Sequence, residues 1–294
     1  MFLSREKVEL KSLDQVLLMR RAGLVVADAL AAVRAAARPG MTTADLDAVA
    51  AGVIRDAGAS PSFLGYHGFP ATICTSVNDE VVHGIPGARV LGVGDVVSVD
   101  CGAIVEGWHG DSAVSFLLGA EGAVDPEEAG EGFDPADALL VRATRTSMWA
   151  GIAALASARR VGEVGDAVEA AVELAADLHD VTLGIVEEYT GHGIGSAMHQ
   201  PPDVLNFRAS GDRGPRVRTG MCLAIEPMVT LGTAETRVLA DDWTVVTADG
   251  SRAAHWEHSV AVLESGVAVL TAPDLGAAGL APFGVTPVAL DALV

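Results

Sequence analysis

Two aspartates, Asp100 and Asp111, stand eleven residues apart in the stretch VVSVDCGAIVEGWHGD, residues 96–111. The β-branched run Val96-Val97-Ser98-Val99 predicts a strand arriving at Asp100. Glu106-Gly107 or its neighbours supply a turn, and residues 111–116 read as the returning strand. In an antiparallel pair closed by an even number of turn residues the two aspartates share a face. They then lie opposite or one diagonal apart, roughly 5 to 8 Å. Carboxylates held that close repel each other unless a proton or a cation lies between them. Alone, the pair reads equally well as two hairpin aspartates in water.

Three further residues make companions for the pair: His192 in Thr190-Gly191-His192-Gly193-Ile194-Gly195, Glu226 in Ile225-Glu226-Pro227-Met228, and Glu257 in Trp256-Glu257-His258-Ser259. Glu226 ends an apolar run and Glu257 begins one. A carboxylate pointing inward from a strand end is costly unless neutralised. Four carboxylates and one imidazole form a hard-to-borderline donor set with charge enough for two divalent cations. The glycines flanking His192 suggest a backbone passing close to a metal. Each piece has a plainer reading by itself. His192 could be a hydrogen-bonded loop histidine, Glu226 a paired core carboxylate, and GHGIG lacks the strand-to-helix context of a phosphate cradle. The five in this order are hard to obtain by chance.

These residues need elements to hold them. Residues 12–37 carry helical periodicity ending at Arg38-Pro39-Gly40. Thr42-Thr43-Ala44-Asp45 reads as an N-cap, and residues 46–57 as a second helix. Residues 62–87 mix short β-type runs with Gly, Pro and Asn. The acidic, aperiodic residues 120–137 read as a surface loop or mobile insertion and as the seam between halves. Helices follow at about 137–158 and 163–178, then strands around 181–190 and 217–231. Residues 200–215 read as a long loop, and 259–263 and 267–270 as the last strands. The order helix, helix, strand, carboxylate occurs twice, which would put Asp100 and Glu226 in equivalent places of two similar halves.

The chain has 294 residues, half of them apolar, enough for a substantial core. A formal charge of −20 argues against a nucleic-acid groove. No apolar run reaches the eighteen residues of a membrane span. Residues 1–11 mix charges before any apolar run, unlike a secretory signal. Cys74, Cys101 and Cys222, odd in number and scattered, fit reduced thiols in a cytoplasmic protein.

The motifs GYHGFPATICTSVNDEVVHGIPG, VDCGAIVEGWHGDSA, GHGIGSAMHQPP, LAIEPM, DDWTVVT and HWEHSV resemble those of the type I methionine aminopeptidases, from about residue 12 to 272. The resemblance implies an α+β pita-bread (creatinase/aminopeptidase) fold, with pseudo-two-fold halves at about 12–119 and 137–272 and a central curved antiparallel sheet covered by helices. Residues 1–272 would form one catalytic domain and 273–294 an extension of unassigned role. It implies that Asp100, Asp111, His192, Glu226 and Glu257 hold two divalent ions (Co, Mn, Fe or Zn), with Asp111 and Glu257 bridging them. Two ions roughly 3.5 to 4 Å apart would share a hydroxide. Glu226 would shuttle the proton, and His83 and His199 would contact the substrate. Tyr66, Phe69, Cys74, Met198 and Trp243, with Phe63 nearby, would line a methionine pocket, although ordinary core packing is the commoner fate of such residues. The substrates implied are N-termini of nascent polypeptides and peptides with a small second residue. The resemblance implies a monomer, with transient ribosome contact and no nucleic-acid or membrane site. Two alternatives are an X-Pro aminopeptidase or prolidase of the same fold, and a non-catalytic pita-bread binding protein. Met198 stands where an aromatic is usual, and His255 where glutamine is common.

Overall fold

A computed structural model describes residues 7–211 and 213–290. The expectations for the first six residues and for the end of the 273–294 extension therefore fall partly outside the described residues. Helix α1 (Leu13–Ala36) starts where Ser12 and Gln15 form a capping box, and α2 (Thr43–Asp56) where Thr42 and Asp45 do the same. Helix α3 (Pro135–Leu155) opens on an Asp134 cap with proline in its first turn, and α4 (Gly162–His179) follows it.

Each helix pair covers its own sheet. Val26, Leu30 and Val33 of α1 and Leu46 and Ile54 of α2 bury against Ile73, Val97, Val99 and Phe116. Val141, Met148 and Ile152 of α3 and Val164 and Val168 of α4 bury against Leu223, Ile225, Val260 and Val269. The first core lies on a five-stranded antiparallel sheet built around Val96–Val105 and Trp108–Gly119. The second lies on a five-stranded sheet built around Cys222–Ile225 and His258–Leu263. Two three-stranded antiparallel sheets complete the β-structure among the described residues. None of the described helices is long and apolar enough to cross a membrane.

The two halves are sewn together where Glu80–Val82 pairs with Val245–Thr247, and again beside the carboxylates. The Ala113 amide donates to the Glu257 carbonyl at 3.3 Å, and the Glu257 amide to the Ala113 carbonyl at 3.0 Å. The Ser259 hydroxyl accepts from the Asp111 amide (3.1 Å) and donates to the Asp111 carbonyl (2.8 Å). Ser112 Oγ donates to the Glu257 carbonyl at 2.6 Å. Helix α1 also spans both halves: Arg20 donates to the carbonyls of Leu270 and Ala272, while Gly23 packs against Gly110 so closely that a Cβ on Gly110 would stand 2.6 Å from the Gly23 nitrogen.

Several sequence expectations change. Gln200–Val204 is a strand, not part of a long loop. It lies at the edge of the second sheet, where Pro201 and Pro202, lacking an amide proton, break no ladder. Residues 217–231 split into Cys222–Ile225 and Met228–Thr230 around Glu226-Pro227. The acidic 120–137 segment is not a free insertion. Gly122–Val124 pairs with Leu117–Gly119, Asp125 meets Arg34 (3.2 Å) and Arg145 (3.0 Å), and the helix has begun by Pro135. Asp100 is mid-strand in a ten-residue strand, not at its end.

Candidate metal centre

The hairpin turns at Glu106-Gly107, both with positive φ, between the pair Val105 and Trp108. A two-residue turn of this hand matches strand twist. The register sets Asp111 opposite Gly102 and Asp100 opposite Ala113, so the aspartates are one diagonal apart on one face. In the other half Ile225 pairs with His258, which leaves Glu226 and Glu257 adjacent at the end of that strand pair. The seam then brings Glu257 beside Asp111.

His192 sits in the short strand Gly191–Gly193, against Cys222–Ile225. Its Nδ1 lies 3.0 Å from the Gly193 carbonyl, which requires Nδ1 to carry the proton and leaves a lone pair on Nε2. Nε2 is 3.4 Å from Glu226 Oε1. Burial, then the His199 charge, pushes the His192 pKa down to about 3, so the ring is a neutral donor. The flanking glycines are required by strand packing. A Cβ on Gly191 would strike the Ala224 carbonyl and one on Gly193 the Pro201 carbonyl. They let neighbouring strands close on His192.

Asp111 and Glu257 are buried, Asp100 and Glu226 half-buried, and all four have raised pKa values. Burial takes Asp100 to about 7, opposed by His255 and assisted by Glu226. Burial takes Glu226 to about 8. Asp111 and Glu257 go well above the usual range, through burial and then the charges of their neighbours. Asp100 Oδ1, Asp111 Oδ1 and Glu257 Oε1 are buried without a hydrogen-bond partner. Three such oxygens close together call for a shared proton or a cation. The donor atoms of Asp111, His192 and Glu257 lie within 4.8 Å of one another, as do those of Glu226, His255 and Glu257. This donor set fits divalent cations.

The centre opens on a cavity of about 270 Å³, lined by every one of the sequence-predicted site residues. Phe63, Phe69, Cys74 and Met198 form one apolar cluster, with Tyr66 and Trp243 packed on it. Cys74 is the cross-strand partner of Asp100, and burial and then the Asp100 charge push its thiol pKa well up, keeping it neutral. Tyr66 does more than line the wall: its hydroxyl is 2.8 Å from His199 Nδ1. The His192 and His199 rings meet at 4.3 Å. His83 stands in the left-handed region (φ 58°), a backbone state that a non-glycine residue holds only where its surroundings impose it. Its ring meets Tyr189 and Trp243 edge-on. Sequence reasoning missed Glu188, Tyr189 and Met228 of the lining. Tyr189 precedes the TGHGIG motif directly, which is the one signal that could have found it. Among the described residues no Lys or Arg lines the cavity.

Residues 17–264 match the family described as metallopeptidase family M24. The chain is 52% identical over 268 residues to methionine aminopeptidase 1 of Mycobacterium tuberculosis (strain CDC 1551 / Oshkosh), across 91% of this chain and 96% of that protein. It is 36% identical to the methionine aminopeptidase of Thermotoga maritima, whose crystal structure superposes with a TM-score of 0.81 over 90% of this chain and 99% of that one. The prolidase of Pyrococcus furiosus, 15% identical, superposes with a TM-score of 0.67 over 90% of this chain and 65% of its own, a likeness of fold alone.

Proposed function

The chain belongs to metallopeptidase family M24, and on that premise we propose that it removes an N-terminal methionine from polypeptides and peptides whose second residue is small. It is a metal-dependent peptidase acting on chain N-termini, with an α+β pita-bread fold. The observation that carries the proposal is the junction of an acidic donor cluster with an apolar pocket in one cavity.

In this reading Asp100, Asp111, His192, Glu226 and Glu257 would hold two divalent ions, with Asp111 and Glu257 brought together by the seam. Bound divalent cations lower the pKa of water and polarise a carbonyl. The protein's own groups do the rest. Glu226 would take and return a proton at its carboxylate. The Tyr66 hydroxyl holds His199 by Nδ1, leaving Nε2 to contact the scissile carbonyl. His83 touches the backbone on the leaving side. Phe63, Phe69, Cys74, Met198 and Trp243 receive the thioether side chain and exclude water. An acidic floor without lysine or arginine suits a terminal amine, and so limits cleavage to chain ends. A single catalytic domain of two halves, a monomeric state, a cytoplasmic location and transient ribosome contact belong to the same reading.

With Mn²⁺ or Co²⁺ added, the protein is expected to release methionine from Met-Ala-Ser and to leave Ala-Pro substrates intact. A preference for Ala-Pro would overturn the proposal in favour of a prolidase-type activity. Bound metal with no hydrolysis of any peptide would favour the binding-protein alternative.

A further inference from the structure

His255 is buried, 3% exposed, and its Nε2 has no hydrogen-bond partner. A ring nitrogen sealed from water and unpartnered carries a desolvation penalty that its surroundings must offset. The backbone that carries the ring is held in place. The His255 amide donates to Ser115 Oγ (3.0 Å) and Ser98 Oγ (3.3 Å), Ser115 Oγ donates to the His255 carbonyl (2.7 Å), and the two serine hydroxyls meet at 2.7 Å. Both serines belong to the hairpin that carries Asp100 and Asp111, so the first half of the molecule fixes a residue of the second. The strand Ala253–His255 pairs His255 with Met228, two residues past Glu226. The side chain thus meets Glu226 from the side opposite His192: His192 Nε2 is 3.4 Å from Oε1, and His255 Nε2 is 3.5 Å from Oε2.

Two overlapping groups of close donor atoms result, Asp111 with His192 and Glu257, and Glu226 with His255 and Glu257; each contains one imidazole, and Asp100 belongs to neither. We propose that His255 is a sixth donor of the centre, its Nε2 binding directly the divalent cation that Glu226 and Glu257 hold. This deepens the metallopeptidase reading and rests on it. A glutamine here would offer an amide oxygen. An imidazole offers a borderline nitrogen, which favours Co²⁺ and Zn²⁺ over Mn²⁺. The second imidazole therefore shifts the metal preference of this chain away from manganese.

Two measurements test it. Proton NMR of the protein loaded with Co²⁺ counts ligated histidines by their hyperfine-shifted, solvent-exchangeable ring N–H signals. Two are expected in the wild type and in His199→Asn, and one in His255→Gln. Calorimetric titration of the metal-free protein is expected to show Co²⁺ binding about 10–100-fold weaker in His255→Gln, with a smaller loss for Mn²⁺. One ligated histidine in the wild type overturns the proposal without any variant. A count that falls to one in His199→Asn also overturns it, since the second imidazole is then His199. Equal Co²⁺ affinities in wild type and His255→Gln leave His255 as a hydrogen-bonding neighbour of Glu226 and overturn it as well. Failure of the wild type to bind Co²⁺ at all is a separate result, one that removes the metal-centre reading itself.

Discussion

At the scale of single residues, Glu226 is the group whose position and charge do most. It touches an imidazole on each oxygen and has a pKa raised to about 8 by burial. Replacing it by glutamine keeps the shape and removes the proton-carrying oxygen. Glu226→Gln is expected to lower kcat on Met-Ala-Ser by about 10²- to 10⁴-fold while calorimetry still detects bound metal. Full turnover would remove Glu226 from the proton path. Tyr66 yields a subtler test. Tyr66→Phe keeps the ring in the pocket but deletes the bond to His199 Nδ1, a net loss of about 1 kcal/mol. That corresponds to a severalfold fall in kcat/KM, carried by kcat if His199 acts on the reacting carbonyl and by KM if it only binds. The donor carboxylates were legible because charged residues interrupt runs of β-branched ones. The Tyr66–His199 bond was not, because 133 residues separate its partners and no periodicity links them.

At the scale of elements, the segment before α1 acts as a strap. Lys11 is buried, with Nζ 3.2 Å from Gln200 Oε1 and 3.3 Å from Glu9 Oε2, and its amide donates to the Gly220 carbonyl. Glu9 accepts from the Ser196 hydroxyl at 2.6 Å. The strap therefore holds both ends of the loop that presents Met198 and His199. Burial alone would raise the Glu9 pKa, but hydrogen bonds from Ser196 and Gln200 and the Lys11 charge bring it down to about 2. A depressed acid stabilises the fold above its unfolded value near 4.5, and that contribution drains away as pH falls toward 2. Acid unfolding of Glu9→Gln is expected to lack this part of the slope. Superimposable acid profiles for the two proteins would show that the strap does not depend on the carboxylate. The expected long loop over 200–215 begins only after Val204, because two prolines mimic loop chemistry at the edge of a sheet.

At the scale of the whole molecule, the centre exists only because two sheets meet. Four clustered carboxylates repel, and in the metal-free chain protonation relieves them. Asp100, Asp111, Glu226 and Glu257 all have raised pKa values, so in the native state they keep protons that the unfolded chain has already released. Burial lowers the pKa values of His83, His109, His192, His199, His255 and His258, which acts in the opposite direction below the ordinary histidine value of 6.5. Above that value the carboxylates prevail, and stability of the metal-free protein falls as pH rises through the Glu226 value of about 8. Chelator-treated protein is expected to melt at a lower temperature at about pH 8.5 than at about pH 7. Added Co²⁺ should restore more stability at the higher pH, because the cation no longer competes with protons. A metal-free melting temperature that climbs across this window would contradict the cluster as described.

Sequence alone determined which residues had to be neutralised, which two aspartates would share a hairpin face, and where α1 and α2 begin. Those features follow from local chemistry: strand alternation, a two-residue turn, and side chains three positions from a helix start. Tertiary structure decided the rest. The diagonal between Asp100 and Asp111 came from the register. The meeting of Asp111 with Glu257 came from the Ala113–Glu257 seam, and the placing of the His255 backbone from serines some 140 and 157 positions away in the chain. Such contacts are energetic agreements between distant segments, and no window of sequence contains both parties.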